Sequence, residues 1–139
     1  MAYAEESRVV DWLNRAPVAE RDEHRERLAQ VRRRGYSVAL DSGELARLEW
    51  LLERGLTPEI DQVVRALPLD PPNFVTEQAD RVAMVDVPAF DENGQVVLIL
   101  GVRGFRRLRN ATELECLVTH LRDATFAVTG AAAPKGVSA

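Results

Sequence analysis

The chain has 139 residues, of which 46% are hydrophobic, and a formal net charge of −4. This length suits one domain, and the negative charge argues against broad nucleic-acid affinity. The longest apolar run, Val96–Val102, is far too short to span a bilayer. The single Cys116 excludes an internal disulfide and a cysteine-based zinc site. Because the first ten residues carry acids where a signal peptide needs positive charge, we expect a cytoplasmic protein.

The first part of the chain predicts two helices and a short strand. Apolar spacing indicates a first helix over Glu5–Arg15. Its apolar side is formed by Val9, Val10 and Leu13. A second, highly charged helix is expected over Glu20–Arg34, and Gly35 supplies its left-handed end. The alternating, β-branched segment Tyr36–Leu40 then predicts a strand.

Two more helices are predicted before a loop that contains several prolines. Asp41 or Ser42 is the expected N-cap of the first. Its buried stripe is predicted to be Leu45, Leu48 and Leu52. The second is expected to begin at Thr57 as N-cap, with Pro58 in the first helical position. The prolines within Leu67–Gln78 predict a loop.

A β-hairpin is predicted in the second half of the chain. Val82–Phe90 and Gln95–Arg103 are apolar enough to be strands, and Asp91–Gly94 has the composition of a tight turn. Gly94 can adopt the positive φ that such a turn requires.

The chain ends with a predicted amphipathic helix over Thr112–Val128. Its first turn has capping-box spacing between Thr112 and Glu115, and its apolar side is predicted to include Val128. Residues 130–139 are small and polar, which predicts a disordered tail. The order of elements indicates an α+β domain with a mainly antiparallel sheet flanked by helices. Since three strands make a small sheet and the hairpin is apolar on nearly both faces, we expect a larger sheet or completion by oligomerisation.

Three segments, in this order, resemble the effector-binding domain of IclR-type transcription regulators. The first is a basic helix end followed by Gly-Tyr and a strand, Arg32–Val38. The second is an apolar strand with a proline, a turn with Asp and Gly, and a strand ending in glycine, Val85–Gly104. The third is the C-terminal amphipathic helix. The resemblance covers residues 1–129, but Ser42–Arg81 inserts two helices where the family has a shorter connection.

The resemblance implies a GAF/profilin-like fold, incomplete in this chain, and a role in transcription regulation. It implies a sensor of a small organic effector that works as a homodimer or homotetramer. DNA would be contacted only through a winged helix-turn-helix domain that this chain lacks. No membrane partner and no cofactor are expected.

The candidate site follows from the two faces of the hairpin. With the turn at Asp91–Gly94, the expected pairs are 88–97, 86–99, 84–101 and 82–103. One face is uniformly apolar and is expected to be core: Ala83, Val85, Val87, Val96, Leu98, Leu100 and Val102. The other face mixes apolar and charged groups: Met84, Asp86, Val97, Ile99, Gly101 and Arg103.

The resemblance places the effector pocket on the second, mixed face. We expect effector binding by Met84, Asp86, Ile99, Gly101 and Arg103. In this hypothesis Gly101 leaves room for the ligand, Met84 and Ile99 supply apolar walls, and Arg103 anchors a carboxylate. The alternative is that Arg103 extends into solvent and that Asp86 pairs with another arginine.

The residues give no support for catalysis or metal binding. No nucleophile has a base at recognisable spacing, no glycine-rich phosphate loop is present, and neither His24 nor His120 has metal-ligand neighbours in sequence. We therefore expect no enzyme, no catalytic residues and no metal. Two functions stay open: a ligand-sensing, oligomerising domain of an IclR-like regulator, and a stand-alone dimerisation module without a ligand. A small enzyme has the least support.

Overall fold

The computed structural model describes residues 2–55, 57–67, 69–71, 73–104 and 108–131, without the side chains at 45, 49, 57, 58, 61 and 65. The helices are α1 Glu6–Asn14, α2 Arg21–Arg34, α3 Glu44–Arg54, α4 Thr57–Ala66 and α5 Ala111–Thr129. The strands are β1 Ser37–Leu40, β2 Val82–Phe90 and β3 Val96–Arg103. Short 3₁₀ helices cover Val18–Glu20 and Thr76–Arg81. The predicted α+β class is confirmed.

The three strands form one antiparallel sheet in the order β1-β2-β3. β1 and β2 meet with Ser37 opposite Asp86 and Val38 opposite Val85. β2 is the central strand, and most of its side chains are buried. The outer strand β3 is much more exposed. The sheet is therefore asymmetric, with solvent reaching it mainly along β3.

The main core lies between α5 and one face of the sheet. Apolar side chains of all three strands pack there against Leu114, Val118 and Leu121. Asn110 is the N-cap of α5, and its side chain accepts a hydrogen bond of 3.0 Å from the Glu113 backbone N–H. The predicted capping box at Thr112 and Glu115 is wrong by two residues, because the polar groups that meet are those of Asn110 and Glu113.

Several predicted core positions turn out to be exposed. Val10, Leu52 and Val128 have 45%, 56% and 70% of their surface accessible, whereas Leu51 and Thr125 are buried. Helical periodicity identifies an apolar stripe, but the neighbouring elements decide which edge of that stripe is covered.

Two predicted helix starts have different outcomes. α3 is preceded by Gly43 in a left-handed conformation with no side-chain cap, so the prediction that Asp41 or Ser42 caps it is wrong. The roles predicted for the side chains of Leu45, Thr57 and Pro58 lie outside the described residues. So does most of the predicted tail, of which only 130 and 131 are described.

The predicted loop contains more structure than expected. Leu69 forms an isolated antiparallel bridge with Ala39 of β1, and the 3₁₀ helix Thr76–Arg81 occupies its end. The sequence did not predict this bridge, because a single paired residue does not produce the alternation of apolar and polar residues that indicates a strand.

The hairpin is present at the predicted position, but its register differs. Gly94 has φ 75° in the turn, and the Asp91 carboxylate accepts hydrogen bonds from the backbone N–H groups of Asn93 and Gln95, at 2.9 and 2.8 Å. Asp86 lies opposite Gly101, two residues from the predicted partner Ile99.

A bulge in β3 explains part of this shift. Leu98 pairs with Ala89 and Val96 pairs with Phe90, so Val97 is an extra residue. The extra residue moves Val96 to the mixed face. The prediction that Val96 belongs to the core face is therefore wrong.

Candidate functional site

The predicted site residues lie in three adjacent rows across the mixed face of the sheet, and Ile99 occupies the row nearest the turn, opposite Pro88. Asp86 and Gly101 share a row with Ser37 of β1. Met84 and Arg103 lie opposite each other in the next row. The two-residue register shift keeps all of them on the predicted face, because side chains alternate with a period of two.

The predicted room above Gly101 is filled. A Cβ atom built on Gly101 would lie only 2.1 Å from Oδ1 of Asp86. The glycine therefore accommodates the carboxylate of its cross-strand neighbour, and the prediction that its missing side chain leaves space for a ligand is wrong.

A groove of about 410 Å³ opens instead at the hairpin end of this face, and we call it the sheet groove. Its floor includes Asp86 and Ile99, two of the five predicted residues. Other lining residues come from the N-terminal segment, α2 and the strands: Tyr3, Arg8, Leu28, Ser37, Pro88 and Val96. The other three predicted residues do not line it. Met84 is 7% accessible, and Arg103 is exposed.

Asp86 is the distinctive polar group of the sheet groove. Burial raises the pKa of its carboxyl group, nearby Arg103 opposes that effect and Asp70 adds to it. Among the described residues none donates a hydrogen bond to this carboxylate. The groove thus presents a half-buried acceptor, which suits a ligand that carries an N–H or O–H donor. Arg103 acts on Asp86 within the chain and is not placed to anchor a ligand carboxylate in the groove.

Asp70 also borders the sheet groove, but its carboxylate is already engaged. It forms an ion pair with Arg34 and accepts hydrogen bonds of 2.6 Å from Ser37 Oγ and 2.9 Å from the Val38 backbone N–H. Its backbone adopts φ 45°, a left-handed conformation that aspartate tolerates better than most residues. No sequence signal identified Asp70, since its partners lie more than thirty positions away in the chain and the segment predicted only a loop.

A second cavity of about 620 Å³, the α2–α5 cleft, lies between these two helices and the loop at 74–76. The Arg34 guanidinium lies 5.0 Å from the Tyr36 ring centroid and 5.2 Å from that of Phe74. Nη2 of Arg122 donates to the Arg34 carbonyl at 2.9 Å, and Arg33 pairs with Glu26 at 2.7 Å. Since these arginines already have partners within the fold, the cleft is the weaker candidate for ligand binding.

Two further observations concern metals and membranes. Within the described residues, no three His, Cys, Asp or Glu side chains come together as a possible metal site. None of the described helices combines the length and apolar character that crossing a membrane requires.

Comparisons with protein-family models, with curated proteins and with solved structures found no match for this chain. The candidate site therefore stands on its geometry alone.

Proposed function

We propose that this chain is the small-molecule-sensing and oligomerisation domain of an IclR-like transcription regulator, with a GAF/profilin-like fold. The effector binds in the sheet groove, and the DNA reader is a separate winged helix-turn-helix domain. The domain has no catalytic role in this proposal and requires no cofactor.

The sheet groove is the observation that carries the proposal. Its volume falls within the range of about 300–1,000 Å³ that is typical of small-ligand sites. It lies on the face of the sheet turned away from α5, where the resemblance leads us to expect the effector.

The lining residues define the class of effector. Ser37 and Asp86 provide polar atoms on one side, and Leu28, Pro88 and Ile99 provide apolar contacts. A compact organic molecule with a hydrogen-bond donor and an apolar part fits this combination. An anion held by Arg103 does not.

A thermal-shift screen of the full chain against a library of small metabolites tests the proposal. We expect a compound that raises the melting temperature of the wild type but not of Ala4→Phe, because Ala4 lines the groove and the larger side chain fills it. Val10→Phe is the matched control, since Val10 is 45% exposed on α1 and does not line the groove.

Two results would contradict groove binding: no compound stabilises the wild type, or a stabilising compound acts equally on Ala4→Phe. The first result would favour the second candidate function, a dimerisation module that works without a ligand. The exposure of the outer strand β3 is the observation that favours this alternative.

A further inference from the structure

The outer edge of β3 has no strand partner among the described residues. Val97, Leu98 and Ile99 are 55%, 37% and 64% accessible, although all three are large apolar side chains. From Leu98 to Arg103 the strand keeps a regular register with β2. The only irregularity of the β2–β3 pair lies before this stretch, so six residues form a regular edge. No proline or lysine lies in this stretch, and its one charged side chain, that of Arg103, is at the very end, so the edge around Ile99 has none of the charges that prevent edge-to-edge pairing.

The opposite edge of the sheet is closed. The carbonyl of Val38 accepts a hydrogen bond of 2.8 Å from the Asp70 backbone N–H, and Leu69 bridges Ala39. The Val38 N–H donates to the Asp70 carboxylate. A sheet with one closed and one open edge can add a single partner there and cannot extend further.

The hydrogen bonds of Val38 also reveal which groups of β3 point outward. The backbone N–H and C=O groups of Val38 both bond Asp70 and therefore point away from β2. In an antiparallel pair, two residues that lie opposite each other both point these groups toward the partner strand or both point them away. The groups of Val85, opposite Val38, therefore point toward β3. The backbone groups of Val102, which lies opposite Val85, then point toward β2, and so do those of Leu100, two residues away. The backbone N–H and C=O groups of Ile99, Gly101 and Arg103 are the ones that face outward.

We propose that the β3 edges of two copies of this chain pair antiparallel about a two-fold axis at Ile99, which forms a continuous six-stranded sheet. An isologous contact of this kind closes at the dimer. The inference rests on the oligomerisation part of the proposed function and does not depend on a ligand.

Charge at the ends of β3 selects this orientation. Arg103 lies at one end of the strand, and the turn with Asp91 and Glu92 lies at the other. With the axis at Ile99, Arg103 comes beside Gln95 of the second copy, next to that acidic turn. Both main-chain groups of Gln95 already bond Asp91 in its own hairpin, so the contact at this end is between charges and the intermolecular backbone bonds lie around Ile99. A parallel arrangement would instead bring like charges together.

Sedimentation velocity of the full chain, at several protein concentrations, tests the pairing. We expect a dimer whose dissociation constant rises about thirtyfold in Ile99→Pro, since each copy loses one intermolecular N–H donor. Proline at this position spares the bonds between β2 and β3, whose donors are on the alternate residues. Ile99→Ala keeps the N–H and should remain dimeric, and circular dichroism checks that both variants fold.

A charge exchange provides a second, independent measurement. Glu92→Arg alone and Arg103→Glu alone should each weaken the dimer, and the double variant should recover it. If Ile99→Pro does not fold, this exchange decides the question. A monomeric wild type would overturn both the pairing and the oligomerisation part of the proposed function. Two other results would contradict the pairing alone: a dimer that Ile99→Pro does not weaken, or charge-exchange effects that are additive. Either result would show that the chain associates through a surface other than β3.

Discussion

At the residue scale, Asp70 connects three parts of the fold. Its carboxylate joins the C-terminal end of α2, through Arg34, to the side chain and backbone at the start of β1. The Asp70 and Arg34 side chains are each only 13% accessible. A buried ion pair adds little to stability as a pair, but removal of one partner leaves a buried charge uncompensated.

Asp70→Ala is therefore expected to lower the free energy of unfolding by about 3–5 kcal/mol. Urea denaturation measures this loss. Asp22→Ala is the matched control, because the Asp22–Arg25 pair is largely exposed and pairs of that kind contribute little. Equal effects of the two substitutions would contradict the role assigned to Asp70.

Asp86 makes stability depend on pH in the direction opposite to that of a salt-bridged carboxylate. Burial raises the pKa of its carboxyl group, so the folded chain binds this proton more tightly than the unfolded chain does. This contribution to stability is present at low pH. It is lost as the pH rises from the ordinary aspartate pKa of about 3.9 through the raised value.

Asp86→Asn removes this titration. We expect the free energy of unfolding of the variant, relative to wild type, to increase as the pH rises through that window and to stay constant above it. Urea denaturation of both proteins at a series of pH values measures the difference. A difference that decreases over the same window would show that the pKa of Asp86 is lowered in the folded chain.

At the scale of elements, the hairpin register decides which side chains meet. The tight turn predicts that Asp86 faces Ile99, but the bulge at Val97 and the observed pairing place it opposite Gly101. The side chain of Asp86 then occupies the space that any Cβ at position 101 would need.

Gly101→Ala tests this register. The new methyl group must displace the Asp86 carboxylate, and moving this side chain off its rotamer should cost about 0.5–1.5 kcal/mol in unfolding free energy. In an Asp86→Ala background the same substitution should cost much less, and a double-mutant cycle by urea denaturation measures this coupling. Additive effects would support the register in which Asp86 faces Ile99.

At the scale of the whole molecule, the sheet has two different faces and two different edges. One face is covered by α5, and the other carries the sheet groove. One edge is closed by Leu69 and Asp70, and the other is the exposed strand β3. Ile99 belongs to both the groove and the open edge, so ligand binding and self-association would share a residue and be thermodynamically linked.

The sequence by itself determined the class of fold and the positions of most elements. Apolar alternation and the Asp91–Gly94 turn located β2 and β3, and Gly35 located the end of α2, whose cap has φ 76°. These signals are local: a turn residue or a period of two acts over a few neighbouring positions. The same period also placed Asp86 and Ile99 on one face, which is why these two residues of the sheet groove could be anticipated.

The tertiary structure alone decided the register, the groove and the closed edge. Whether Gly101 left room for a ligand depended on which residue lay opposite it in β2. One extra residue, Val97, moved Val96 to the other face of the sheet. Asp70 meets partners more than thirty positions away, and the exposure of Val10 and Leu52 depends on how each helix packs. Each of these outcomes arises from contacts between distant segments, whose free energy no local pattern of residues encodes.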